Sequence, residues 1–185
     1  YIAVMALFGL APLEIRTNAL LLNIAVAGIA YYQFARYARI EWNLVKPLFL
    51  FSIPFAFIGG SVILNDAVFK YLLAFILVLP VLRFSGIWRN EPRSLQIPAT
   101  WMLAVSGASI GFLSGMLGIG GGIILTPLLL WFGWTNTKQA ALISALFIVV
   151  NSIAGFMGLW NPDFALPDSF LPLLFTAVFG GILGS

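Results

Sequence analysis

The sequence has no cysteine and no histidine, and only 8% of its 185 residues are charged, nine basic and six acidic. The first two absences exclude disulfides, thiolate nucleophiles, zinc or haem sites built on Cys or His, and any Ser-His-Asp triad. No metal or cofactor is expected. The third absence is more telling. A soluble domain carries roughly 25% charged residues because water must solvate its surface. Here 62% of residues are hydrophobic and the mean hydropathy is +1.06. The chain reads as an all-α, polytopic integral membrane protein. The net charge of +3 is spread over short loops and forms no basic stripe, so no nucleic-acid partner is expected. The lipid bilayer is the expected partner, with a cell membrane crossed several times as the location.

Apolar runs near 20 residues fall at 17–35, 47–64, 68–88, 99–119 and 140–160, each long enough to cross a bilayer. The run 123–132 is too short for a full crossing. The runs 1–10 and 169–185 look truncated, so the sequence reads as an internal piece of a longer protein. Charges fall between the runs, and Trp42, Trp88, Trp101, Trp131, Trp134 and Trp160 sit at run boundaries, where interfacial belts form. Three Lys or Arg lie in 36–46 and three in 83–93, but none in 161–168. The first two segments are therefore expected in the cytoplasm and the third on the opposite side.

Shifting the sequence by 124 residues aligns 1–61 with 125–185 without a gap. Phe8-Gly9 meets Phe132-Gly133, Ile29-Ala30 meets Ile153-Ala154, and Gly60-Ser61 meets Gly184-Ser185. Two readings are open: a duplicated half, or unrelated stretches of membrane helix with similar composition. Under the first, 1–61 belongs to one repeat, 62–97 holds its last helix and a polar linker, and 98–185 is the second repeat. The copies are inverted if 99–132 forms one crossing, a break and a returning half-helix, which also puts Lys138 on the cytoplasmic side.

The segment from Ser106 to Gly122 is the richest in glycine. Gly107, Gly111 and Gly115 recur every fourth residue, a spacing that lets helix backbones approach closely in lipid. On that reading alanine at Gly107 is expected to be tolerated. Gly120-Gly121-Gly122 is different, because consecutive glycines disfavour a helix by up to about 1 kcal/mol each. Backbone groups freed at such a break need protein or a polar cavity around them. The following Ile123-Ile124-Leu125-Thr126-Pro127 resembles a helix start. Its N–H groups and dipole favour an anion without any cationic side chain. A packing kink is the competing reading.

Polar residues lie on the spans that follow: Thr17, Asn18 and Asn23, then Ser144, Asn151 and Ser152. They are either interhelical hydrogen bonds or the wall of a shared cavity. With Ser114, Gly118, Gly120, Gly121 and Gly122 they make up the candidate substrate-binding residues. No Lys or Arg is expected deep in a span, since Arg16 is read as beginning a helix. Neutral donors are therefore expected to hold any anion.

The run Gly111-Phe112-Leu113-Ser114-Gly115-Met116-Leu117-Gly118-Ile119-Gly120-Gly121-Gly122, followed by Thr126-Pro127-Leu128-Leu129, resembles the TauE/SafE sulfite-exporter family. The segment Arg16-Thr17-Asn18-Ala19-Leu20-Leu21-Leu22-Asn23 is similar to a helix of that family's first half. The resemblance implies a duplicated membrane transporter exporting small anions such as sulfite or organosulfonates. The alternative is an uptake carrier or channel-like facilitator for another small solute. An intramembrane enzyme would need an acid, base or metal at membrane depth, and no Asp, Glu or His lies deep in a span. A scaffold role is the remaining alternative.

Overall fold

The structure, a computed structural model, describes residues 2–84, 98–160 and 170–183. Among them there are eight helices and no strand: α1 (Ile2–Leu7), α2 (Pro12–Phe34), α3 (Trp42–Ser61), α4 (Asp66–Phe84), α5 (Thr100–Leu117), α6 (Gly122–Trp131), α7 (Thr137–Leu159) and α8 (Phe170–Leu183). Helices keep every backbone bond within the segment, which lipid demands. Four of them, α2, α3, α5 and α7, are long and apolar enough to cross a membrane. Trp88, the linker 89–97 and the 161–168 loop lie outside the described residues.

Helix α2 begins five residues before the apolar run that marks it. Pro12 takes the first turn, where its missing N–H costs nothing, and Glu14 sits at the positive end of the dipole. Arg16 is thus inside the helix, and it is only 3% exposed. Arg16 lies about one turn from the start of α2, near the helix start as expected, but it is buried in protein rather than exposed at the surface.

Close backbone contact between α3 and α5 organises the bundle. A Cβ added at Gly107, Gly111 or Gly115 would run into the carbonyl of Leu48, Ser52 or Ala56 respectively. The paired numbers rise together, so α3 and α5 run parallel. The glycine stripe is a packing seam, and one so tight that alanine at Gly107 is not accommodated, contrary to the expectation from spacing alone. Helix α7 crosses the other way: Gly155 meets Gly60 while Gly158 meets Phe57. Gly155 also lies against Leu20 of α2. Large apolar side chains such as Leu50, Phe55, Trp101 and Phe175 remain exposed, as a lipid-facing surface requires.

The 124-residue correspondence extends to the backbone. Helices α1 and α6 end at Leu7 and Trp131, and α2 and α7 start within one residue of the shifted position. Gly9 and Gly133 both adopt positive φ, 75° and 66°. After α1 the N–H groups of Gly9 and Leu10 donate to Ala6 and Met5; after α6 those of Gly133 and Trp134 donate to Leu130 and Leu129. The same left-handed glycine cap closes both helices. In the second copy the cap folds Trp134 back onto the core, 5% exposed and stacked on Phe132 at 5.2 Å. Trp134 is therefore not an interfacial residue, whereas Trp42, Trp101 and Trp160 are exposed.

Helices α2 and α7, equivalent under the shift, lie side by side. The loop after α2 and the turn before α7 meet at one end of the bundle. There Tyr37, Ala38 and Arg39 share a cleft of about 490 Å³ with residues 136–139. At the same end the Gln139 amide donates to the Glu41 carboxylate at 3.1 Å. The two helices related by the shift therefore run in opposite directions, as an inverted pair would. Lys138 stands at the same end as the basic 36–46 loop.

Candidate functional site

The break in the fourth-residue glycine pattern lies at the meeting of two buried apolar clusters. One contains Ile110, Leu125 and Phe147; the other contains Met116, Leu117 and Ile119. Helix α5 stops at Leu117 because Gly118 turns left-handed, φ 74°, with its N–H still donating to Ser114 O at 2.8 Å. Gly120 and Gly121 are left-handed too, at 76° and 79°. Gly121 caps α6, and Gly122 is already helical. The break therefore spans 118–121 and begins two residues earlier than the triple glycine suggests. Only glycine adopts this conformation at no steric cost.

The walls come from α2 and α7. The Asn23 amide donates to the Gly118 carbonyl at 3.1 Å. A Cβ on Gly120 would sit 2.9 Å from Asn23 Nδ2 and 3.1 Å from Ser152 Oγ. Gly121 faces the Phe147 ring, and Gly122 faces Ile148 and the Ser144 carbonyl. The Thr126 hydroxyl, one turn into α6, lies 2.8 Å from Ser144 Oγ and donates to the Gly122 carbonyl at 2.9 Å. The carbonyl of Gly121 takes the N–H groups of Ile124 and Leu125. The earlier N–H groups of Gly122 and Ile123 have no intrahelical acceptor and point back out of the helix start.

Asn23, Gly118, Gly120, Gly121, Gly122, Ser144 and Ser152 are thus brought into one place. Ser114 and Asn151 join it by register. Ser114 is one turn before Gly118, and Asn151 sits midway between Phe147, which meets Gly121, and Gly155, which meets Gly115. Thr17 and Asn18 are buried at 2% and 0%, but lie roughly 8–9 Å further toward the start of α2 than Asn23. Four buried polar atoms of this region find no partner in the protein: Ser114 Oγ, Asn151 Oδ1, Ser152 Oγ and Nε of Arg16, which packs against Gly118. Buried polar atoms are normally satisfied, so these atoms are unusual in the bundle.

Arg16 stands against the break, its Cα 3.0 Å from where a Gly118 Cβ would be. Its guanidinium, however, reaches the C-terminal end of α3. It donates to the carbonyls of Val62 and Gly60 at 2.7 Å each, and more weakly to Gly115 at 3.3 Å and Gly59 at 3.4 Å. Cations belong at helix C-termini, where the dipole is negative. Sequence reasoning missed this role because the acceptors are backbone groups from elements 43 or more residues away. It also missed Thr126 as a wall residue, although its place one turn after Gly122 was a usable signal.

A membrane helix bundle with a broken helix opening among buried hydroxyls and amides has the organisation of a membrane transporter. The comparisons with known proteins agree on that class. The chain belongs to the sulfite exporter TauE/SafE family, whose sequence profile matches residues 1–185. It is 37% identical over 193 residues to the probable membrane transporter protein y4hK of Sinorhizobium fredii, a match covering all of this chain and 76% of that protein. It is 26% identical over 132 residues to the probable membrane transporter protein MJ0441 of Methanocaldococcus jannaschii, covering 70% of this chain and 49% of that one. A match at 26% identity to the probable membrane transporter protein MamO of Magnetospirillum gryphiswaldense covers 98% of this chain and 36% of that protein. The chain thus spans about three-quarters, a half and a third of these relatives. No solved structure matches it significantly.

Proposed function

We propose that the protein carries a small anion, of the sulfite or organosulfonate kind, out of a bacterial cell across the inner membrane. The observation that supports this reading is the start of α6. Its free N–H groups open into a region where the hydroxyls of Ser114 and Ser152 are buried without a protein partner. An anion shedding water at depth needs donors to replace its hydration, and these are the donors on hand. Asn23, Thr126 and Ser144 shape the wall, while the two terminal nitrogens of the Arg16 guanidinium are engaged by carbonyls. Neutral donors hold an anion less tightly than a fixed charge, which suits a carrier that must release its cargo. The functional unit is taken to be two inverted repeats, with 1–61 in the first, 62–97 its last helix and linker, and 98–185 in the second.

The test is flux in proteoliposomes holding the full-length protein, with a panel of small anions and neutral solutes loaded on either side. Outward-directed anion flux that is abolished by Gly121→Leu supports the proposal. Flux of neutral solutes alone would replace it with the facilitator reading, and inward-directed anion flux with the uptake reading.

A further inference from the structure

Resting on the anion reading, we infer that the substrate carries its own donor hydrogen, and that Asn151 accepts it. The Asn151 side chain is fully buried, and its Nδ2 donates to the Phe147 carbonyl of its own helix at 2.9 Å. That bond fixes the amide. A carbonyl can only accept, so the NH₂ group must face Phe147 and the oxygen must face away from it. The oxygen is buried and finds no partner. By register Asn151 lies on the face of α7 that runs from Phe147, against Gly121, to Gly155, against Gly115.

A site made only of donors suits any anion. This one also holds an acceptor with no donor of its own. A fully ionised oxyanion or a simple alkylsulfonate has only acceptors to offer, and would meet Asn151 Oδ1 lone pair to lone pair. A monoprotonated oxyanion fits both halves of the site: its ionised oxygens take the α6 N–H groups and the serine hydroxyls, while its O–H donates to Asn151. An acceptor left unpaired in a closed site is the strongest basis for rejecting an analogue that lacks the hydrogen.

The same assignment fits the ionisable groups found around the break among the described residues. Helices α5 and α6 contain no ionisable residue, α7 has only Lys138 in its first turn, and α3 has Lys46 near its start. On α2 the group facing the break is Arg16, with Glu14 on the first turn and Tyr31 and Tyr32 near the far end. None of these is a carboxylate placed to relay a proton beside the break. The proton crosses as part of the anion.

The experiment uses the full-length protein in proteoliposomes with two probes, sulfite and methanesulfonate, over a pH range spanning the second ionisation of sulfite. Methanesulfonate bears one charge throughout and has no O–H. Wild-type sulfite flux is expected to follow the hydrogensulfite fraction and fall as pH rises, exceeding methanesulfonate flux by about tenfold or more at the acid end. Asn151→Leu, close in size and lacking the acceptor, is expected to bring the two fluxes toward equality. The wild-type pH profile stands as a test even where that variant does not fold. Equal fluxes of both probes in the wild type, or sulfite flux that rises with pH, would overturn the inference and leave the anion reading intact. No flux of either probe, with flux of a neutral solute, would overturn the anion reading itself.

Discussion

Asn23 of α2 donates its side-chain amide to the carbonyl of Gly118 at 3.1 Å, across 95 residues of sequence. That carbonyl belongs to the residue at which α5 ends, so one side chain holds the geometry of the break. Asn23→Leu leaves a buried carbonyl without a donor, at a cost of about 1–3 kcal/mol. The expected result is a lower melting temperature in detergent together with loss of transport. Unchanged stability and flux would mean that the break is held by its glycines alone.

Arg16 is expected to matter for folding before it matters for binding. Arg16→Gln removes the two 2.7 Å bonds to Val62 and Gly60 and destabilises the protein by roughly 2–3 kcal/mol. Arg16→Lys recovers only part of this, because an ammonium cannot reproduce the planar fork. Thermal unfolding separates the three proteins, and transport by the folded fraction should keep its apparent KM. A raised KM at unchanged stability would instead place the guanidinium in the anion site.

The seam between α3 and α5 gives a graded set of glycine variants. Alanine at Gly107, Gly111 or Gly115 drives a methyl group into a backbone carbonyl, an overpacking that costs about 1–3 kcal/mol. Gly28, helical and with nothing within 4 Å of an added Cβ, is the control; alanine there is expected to be neutral or stabilising by about 0.5–1 kcal/mol. Gel filtration of detergent extracts and unfolding midpoints check this order.

Thr126 and Ser144 exchange a hydroxyl hydrogen bond at 2.8 Å between α6 and α7. A double-mutant cycle of Thr126→Val and Ser144→Ala is expected to give a coupling near 0.6 kcal/mol, the average for such bonds between membrane helices. A coupling of zero would show that each hydroxyl is satisfied separately.

The shared end of α2 and α7 makes a topological prediction. Single cysteines at Tyr37 and Thr137, both exposed, are expected to react with an impermeant thiol reagent from the same side, the cytoplasmic one. These 185 residues hold no cysteine to confuse the result. Labelling from opposite sides would contradict the antiparallel placement of α2 and α7.

Much of this was already written in the order of residues. Composition forces helices, because lipid leaves backbone groups no other partner, and the run lengths set which helices are long enough to cross. The consecutive glycines announce a break, and the 124-residue shift pairs Gly9 with Gly133, which then prove to close their helices in the same way. Glycine's conformational freedom is a local property, so local sequence is enough to read it. What only the tertiary structure decided depends on residues far apart. That Gly118 rather than Gly120 ends α5 goes with Asn23 holding its carbonyl and Arg16 packing against it. That Gly107 cannot carry a methyl group is set by the Leu48 carbonyl, and spacing along one helix does not say how near its neighbour comes. That Arg16 is buried follows from carbonyls left over at the end of another helix, acceptors that no side-chain pattern records. That α2 and α7 run in opposite directions was decided where the loop after α2 meets the turn before α7, because sparse loop charges fix a helix direction far less firmly than two chain ends packed together.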